Sequence, residues 1–373
     1  MATSMYEWRD YMECGKVRHL FPGGNTAAGF FSYYSHIMPQ QEADRFIIIK
    51  GGPGTGKSTF MKKIAKEMLE KGYDVEYLHC SSDNNSLDGV KVPELKVAII
   101  DGTKPHVVDP LNPGAVDEII NFGEFWDDHG IRTHKEAIIH TNKKISDTFA
   151  RAYRYLKAAD ALYEDTYIMN TMALEQGKLY QETKNLVSTI FNDKEYENKI
   201  GRDRKLFASA MTPNGLCNYL DSILTVDKVY EIKGSMGTHE AILLDEIKLE
   251  AIRRGFLVEA FYCALRPQKL QHLIIPELGI AFTTSNDYHK ATRAKCHTTD
   301  MNDFYSKEMT KEYQNNLDEN KREFDHLLEI ALCTISKAKV LHDELESYYI
   351  PYINFEKIDA CFEKVMNKFL QGR

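Results

Sequence analysis

Nine consecutive residues, Gly51-Gly52-Pro53-Gly54-Thr55-Gly56-Lys57-Ser58-Thr59, follow directly on the β-branched apolar run Arg45–Lys50 (RFIIIK). The run predicts a buried strand. Beyond the loop, Phe60, Met61, Ile64, Met68 and Leu69 recur at helical spacing and stop at Gly72, which predicts a helix over 59–71. A strand that turns through a glycine-rich loop into a helix commits the chain to an α/β unit, because strand and helix must bury their apolar faces on each other.

The chemistry of the loop follows from its residue types. Glycines at 51, 54 and 56 let successive backbone N–H groups converge on an anion with no Cβ in the way. The helix start adds unpaired N–H groups and its positive dipole end. Gly52, Pro53, Gly54, Thr55, Gly56, Lys57, Ser58 and Thr59 are the predicted phosphate-binding residues, with Lys57 supplying charge at the β- and γ-phosphates and Ser58 a hydroxyl for Mg²⁺. In this pattern the chain resembles the P-loop nucleoside-triphosphatase superfamily from Arg45 to about His106. That resemblance implies a doubly wound α/β core, Mg·NTP binding and hydrolysis.

A magnesium site also calls for an acid at the end of a later buried strand, and Lys96–Asp101 (KVAIID) supplies Asp101, which is equally the residue that would open an Asp-Gly turn. Position 102 is glycine, so no glutamate follows Asp101 to orient water. Asp83, after the predicted strand 74–80, is the candidate catalytic carboxylate beside Lys57 and Asp101, with Asp88 and Asp109 weaker versions of the same idea. Arg151 and Arg154 are candidate lid arginines, and Arg253, Arg254, Arg266 and Arg293 candidate arginine fingers. An N/TKxD motif is absent, which favours ATP over GTP.

Residues 45–106 align without a gap on 228–289, about a quarter of the pairs being identical, so the chain is an internal duplication. Gly51, Gly54 and Thr55 return as Gly234, Gly237 and Thr238, but Gly56, Lys57 and Ser58 have become His239, Glu240 and Ala241. Asp101 maps to Thr284 and Asp83 to Arg266. Glu240 would put a negative charge where Lys57 puts a positive one, and Ala241 cannot ligate a metal, so the second copy is expected not to bind Mg·NTP. His106 persists as His289 and is assigned to the scaffold. Downstream, the seam Phe149, Ala152, Leu156, Ala159 and Leu162 matches Leu328, Ala331, Ile335, Ala338 and Leu341, predicting long helical hairpins packed on their own unit or on each other.

The predicted architecture is two duplicated P-loop-like α/β units, 1–200 and 201–373, each a mostly parallel sheet with helices on both faces and an appended helical hairpin. Polar stretches 192–204 and 307–322 read as linker or solvated face. A net charge of −8 argues against chain-wide attraction to nucleic acid or anionic lipid, and no apolar run is long enough to span a membrane. Met1–Asp10 shows no secretory pattern, and seven scattered cysteines without a CxxC pair fit free thiols, so the expected compartment is the cytoplasm. Cys296 beside His297 lacks a second ligand pair for zinc. The whole arrangement is similar to a tandem P-loop ATPase family of bacterial proteins, through Gly51–Thr59, Leu87-Asp88-Gly89 with Pro93-Glu94-Leu95, and Asp101–His106. Its implication is an ATPase using ATP and Mg²⁺ at one N-terminal site, with a degenerate second unit. A phosphoryl transferase and a nucleotide-gated interaction module are the rival readings, and the helical arms are the expected surface for a protein partner or a second copy.

Overall fold

The computed structural model describes residues 14–370, so Met1–Asp10 lies outside the described residues. The first half contains β1 (Val17–Leu20), the hairpin β2 (Gly23–Thr26) and β3 (Gly29–Ser32), β4 (Arg45–Lys50), α1 (Lys57–Glu70), β5 (Val75–His79), β6 (Leu87–Val92), β7 (Val97–Asp101), β8 (Asp117–Asn121), α2 (Asp128–Arg132), α3 (Lys135–Ala173) and α4 (Gln176–Phe191). The second half repeats this plan: β9 (Arg202–Leu206), β10 (Ser209–Thr212), β11 (Gly215–Asn218), α5 (Leu220–Ile223), β12 (Lys228–Lys233), α6 (Glu240–Arg253), β13 (Leu257–Tyr262), β14 (Leu270–Ile275), β15 (Ile280–Ser285), β16 (His297–Asp300), α7 (Lys307–Ser347) and α8 (Phe355–Leu370).

Each half holds a six-stranded sheet, in the orders β1-β5-β6-β7-β4-β8 and β9-β13-β14-β15-β12-β16. The two orders superpose strand for strand, and the duplicated α/β fold is thereby established. β4 lies between β7 and β8, parallel to both, with Ile49 opposite Asp101. Phe46, Ile47, Ile48 and Ile49 are all buried, as a strand covered on both faces requires. Helix α1 buries Phe60, Met61, Ile64, Ala65 and Met68, and ends where Gly72 turns left-handed (φ 86°) and Tyr73 N–H donates to the Met68 carbonyl. β6 and β14 run antiparallel to both neighbours. The sequence cue missed here is spacing: the short links on either side of β6 cannot carry the crossover of a dozen or more residues that a parallel neighbour needs.

The long helices take one of the two expected placements, and the shorter helices that follow them depart from both. α3 and α7, 39 and 41 residues long, run antiparallel and bury their seams on each other, Ala152, Leu156, Ala159, Ala331 and Ile335 sharing one cluster. A helix of this length spans roughly 60 Å, enough to carry the chain across to the other half. α4 therefore joins the second half's core, with Leu179, Leu186, Ile190 and Phe191 beside Leu243, Leu244 and Ile247. Reciprocally, α8 joins the first half's core, with Ile358, Phe362, Val365, Met366 and Phe369 beside Ile47, Ile49, Phe60 and Ile64.

Between the sheets lies a closed ring of charges. Arg204 donates to Glu76 at 2.8 and 2.6 Å and to Glu259 at 3.1 Å, and Arg18 donates to Glu259 at 2.5 and 3.1 Å and to Glu76 at 3.1 Å. Arg18 and Arg204 sit at equivalent places on β1 and β9, as Glu76 and Glu259 do on β5 and β13, so the ring carries the duplication's pseudo-two-fold. Burial opposes ionisation of Glu76, but Arg204, Lys91 and Arg18 outweigh it and hold the carboxyl well below its usual range. The polar stretch 192–204 thus ends in a strand with a buried arginine rather than in a solvated linker.

Candidate functional site

The site begins where β4 ends. Gly54 (φ 68°) and Gly56 (φ 81°) are left-handed, and Gly56 is the residue from which α1 starts. A Cβ at Gly51 would lie 2.9 Å from the Phe122 Cβ and 3.2 Å from Thr55 Oγ1, so only glycine fits there. Thr55 Oγ1 ties the loop by donating to the Gly52 carbonyl at 2.8 Å. Lys57 folds back over the loop, its Nζ donating to the carbonyls of Gly51 (3.1 Å) and Gly52 (2.7 Å), while Asp101 Oδ2 stands 3.5 Å away across the β4–β7 pair. Thr103 N–H and Oγ1 hold Asp101 Oδ1 at 2.9 and 2.5 Å. Ser58 Oγ accepts from Leu87 N–H at 2.9 Å, which ties the helix start to β6.

Gly-rich turn, helix start, ammonium group, hydroxyl and strand-end acid are thus brought to one place. A family model described as Novel STAND NTPase 3 matches residues 32–101. That span runs through β4, the loop, α1 and the strand ending at Asp101, and over it the chain is similar to nucleotide-binding NTPases. No curated protein and no solved structure matches.

Asp83 is spent locally. Its Oδ1 accepts from Asn85 N–H at 3.2 Å, its Oδ2 accepts from Ser86 Oγ at 2.9 Å, and Lys339 of α7 pairs with it at 3.4 Å. Asp88 is buried on β6, 3.4 Å from His106 Nε2, and Tyr34 stacks on that imidazole. Burial opposes protonation of His106, and Asp88 more than offsets it, raising the imidazole above its usual value. Asp109 is an exposed partner of Lys50 at 3.1 Å. Five of the six candidate arginines are engaged elsewhere. Arg151 donates to Tyr155, Arg253 and Arg254 pair with Glu250, Arg293 donates to the Leu224 carbonyl, and Arg266 pairs with Asp160 and Glu164. Cys296 donates to the Val229 carbonyl, and His297 faces Thr299 and Tyr230.

Sequence reasoning missed the loop's cover, most of which comes from the other half. A Cβ at Gly52 would meet Tyr349 at 3.0 Å and Trp126 at 3.3 Å; at Gly54, Ile350 at 3.0 Å and the Glu346 carbonyl at 3.1 Å; at Gly56, Phe355 at 3.5 Å. The signal was present in the helical seam: the register that pairs Leu162 with Leu341 also pairs Tyr167 with Glu346 and Asn170 with Tyr349.

The second loop keeps the turn, with Gly237 left-handed at φ 75°, and carries a buried ion pair at its helix start. Glu240, 3% exposed, accepts from Lys269 Nζ at 2.6 Å and from Thr238 Oγ1 at 2.9 Å, and Lys269 also donates to Tyr163. Burial opposes the Lys269 charge, yet the Glu240 carboxylate outweighs it and raises the ammonium above its usual value. Asn170 of α3 donates to the carbonyls of Met236 (3.3 Å) and Gly237 (3.0 Å), Thr171 bonds His239 at 2.9 Å, and His239 N–H donates to Tyr305 Oη at 3.0 Å. Among the described residues no helix is long and apolar enough to cross a membrane.

Proposed function

We propose that this protein is a Mg²⁺-dependent ATPase with one working site, in the first half, and a second half that serves as a structural or regulatory partner. The observation carrying this reading is the contrast between the two loops. In the first, the Lys57 ammonium rests on main-chain carbonyls that a phosphate can replace, with Asp101 3.5 Å away. In the second, the Glu240–Lys269 pair takes the place of a ligand. Backbone amides of Gly52–Thr59 would bind the phosphates, and Lys57 would stabilise charge on the transferred group.

The oxygen donors suit a hard cation: a hydroxyl at Ser58 and a carboxylate at Asp101, with no soft ligand among them. When bound, the metal neutralises charge on the phosphate oxygens. Ser58 would first release its bond from Leu87 N–H, and Asp101 would keep its orientation from Thr103. The resemblance to a tandem bacterial ATPase family belongs to the same reading, as does a cytoplasmic setting.

The test is Mg·ATP binding and phosphate release by the wild type beside Lys57→Ala and Asp101→Asn. We expect Lys57→Ala to lose binding by about a hundredfold, the worth of one charge-assisted contact of about 3 kcal/mol. Asp101→Asn is expected to bind ATP but lose the magnesium dependence of its affinity. Binding by Lys57→Ala equal to the wild type would refute the assignment. The arms that cross between halves favour a second reading, a nucleotide-gated interaction module, and tight single-turnover ATP binding without phosphate release would select it.

A further inference from the structure

Three charged or polar positions around the first loop are replaced in concert around the second. Lys57 becomes Glu240, Asp83 becomes Arg266, and Lys339 on α7 corresponds to Asp160 on α3. The contacts survive with their signs exchanged: Asp83 pairs with Lys339 at 3.4 Å, and Arg266 pairs with Asp160 at 2.5 Å. The arm of the opposite half is therefore part of each site's electrostatic set.

That equivalence locates one more residue. In the second half Tyr163 of α3 reaches the Lys269–Glu240 pair, and Glu240 stands where Lys57 stands in the first. The register that equates Asp160 with Lys339 equates Tyr163 with His342. His342 lies on the same face of α7 as Lys339 and Glu346, three residues after one and four before the other. Lys339 pairs with Asp83 as well as with Asp343 of its own helix, and the Glu346 backbone lies against Gly54, so His342 lies between two points that touch the first half. Its Nδ1 faces Glu346 Oε1 at 3.6 Å.

We propose that His342, contributed by the second half's long helix and oriented by Glu346, is the general base that accepts the proton of the attacking water at the first half's site. The inference rests on the ATPase reading above and supplies the base that Gly102 leaves missing from the strand end. In the step, the water oxygen bonds to the γ-phosphorus as the bond from that phosphorus to the β–γ bridging oxygen breaks. The electron pair of the broken bond stays on ADP, and the water proton passes to His342 Nε2, while Nδ1–H points at the Glu346 carboxylate. Partial burial keeps the imidazole below its usual value despite Glu346, so at neutral pH the base is in its proton-accepting form. The other charges facing it are Lys339, Asp343 and Asp83. Hydrolysis then requires the halves to be docked, since base and phosphate grip belong to different halves.

The experiment measures Mg·ATP affinity and single-turnover phosphate release against pH for the full chain, for His342→Ala and for Glu346→Gln, with melting curves to confirm folding. His342→Ala is expected to bind ATP within about threefold of wild type and to release phosphate about a hundredfold more slowly or worse, the range general-base groups contribute. The wild-type rate should fall as pH drops through the imidazole's titration, that limb should vanish in His342→Ala, and added imidazole should restore part of the lost rate. Glu346→Gln should move the limb to lower pH, because the variant removes a carboxylate that favours the protonated ring. A wild type that hydrolyses ATP beside a His342→Ala with the same rate and pH profile overturns the base assignment and leaves the ATPase reading intact. A wild type that binds Mg·ATP and never releases phosphate overturns both.

Discussion

Replacing Arg204 by Met removes one corner of the charge ring between the halves, and its cost can be worked from the contacts. The guanidinium is 6% exposed; it makes three hydrogen bonds to Glu76 and Glu259 and two more to the backbone carbonyls of His36 and Ile37, each at 3.1 Å. Glu76, 3% exposed, would keep Arg18 at 3.1 Å and Lys91 at 3.6 Å, so it is weakened rather than orphaned. Breaking a buried pair from one side costs about 3–5 kcal/mol. For a chain of this size that is a fall of roughly 4–6 °C in melting temperature. Glu76→Gln should cost a similar amount. In Arg204→Met/Glu76→Gln, Arg18 and Glu259 still pair with each other at 2.5 Å, so the double variant should cost at least about 1.5 kcal/mol less than the sum of the singles. Urea unfolding at pH 7, with both halves followed by far-UV circular dichroism, reads all three. A cost below about 1 kcal/mol for Arg204→Met, or strict additivity, would refute the view that the ring is a coupled junction. Acid gives an independent check. The folded Glu76 carboxyl is depressed, so its contribution is present above the unfolded value near 4.3 and is lost as pH falls through the lower folded one.

Two further outcomes follow from the same physics. Lys269→Met strands the Glu240 carboxylate in the second loop and should destabilise the chain by about 3–5 kcal/mol in thermal unfolding, while Lys269→Met/Glu240→Gln recovers most of the loss; a neutral single variant would show that the pair does not fill that loop. His106 is raised by Asp88, so it stabilises the fold fully below the unfolded histidine value near 6.5 and loses that contribution as pH rises through the folded value. NMR titration of Asp88→Asn should show the imidazole moving down, and an unchanged titration would separate the two groups.

Much of the site's scaffold was legible in the linear chain because its determinants are local. A β-branched run, glycines at fixed offsets and an apolar helical period place Arg45–Lys50, the loop and α1 without reference to anything distant. The duplication was legible for a related reason: two copies of one unit preserve the same short-range pattern. Asp101 stands 3.5 Å from Lys57 Nζ because it ends a strand whose apolar run is itself a local signal. Asp83 also follows a predicted strand, and its carboxylate is engaged by Asn85, Ser86 and Lys339. The last of these lies far along the chain, and nothing near residue 83 announces it. The arginines proposed to reach across are held by partners in the second half's own loops and helices, or by α3.

Strand-loop-helix geometry, the replacement of Gly56, Lys57 and Ser58 by His239, Glu240 and Ala241 in the second copy and the existence of long helices were fixed by residue type and period. Where those helices go was not, because an apolar seam records that a face must be buried and carries no address for the surface that buries it. The crossing of α3 and α7 depends on the length of two rigid rods against the separation of two sheets, and the Arg18–Glu76–Arg204–Glu259 ring on the meeting of two sheet edges. These are long-range facts. They alone set Tyr349 and Glu346 over a loop that lies nearly three hundred residues earlier in the chain.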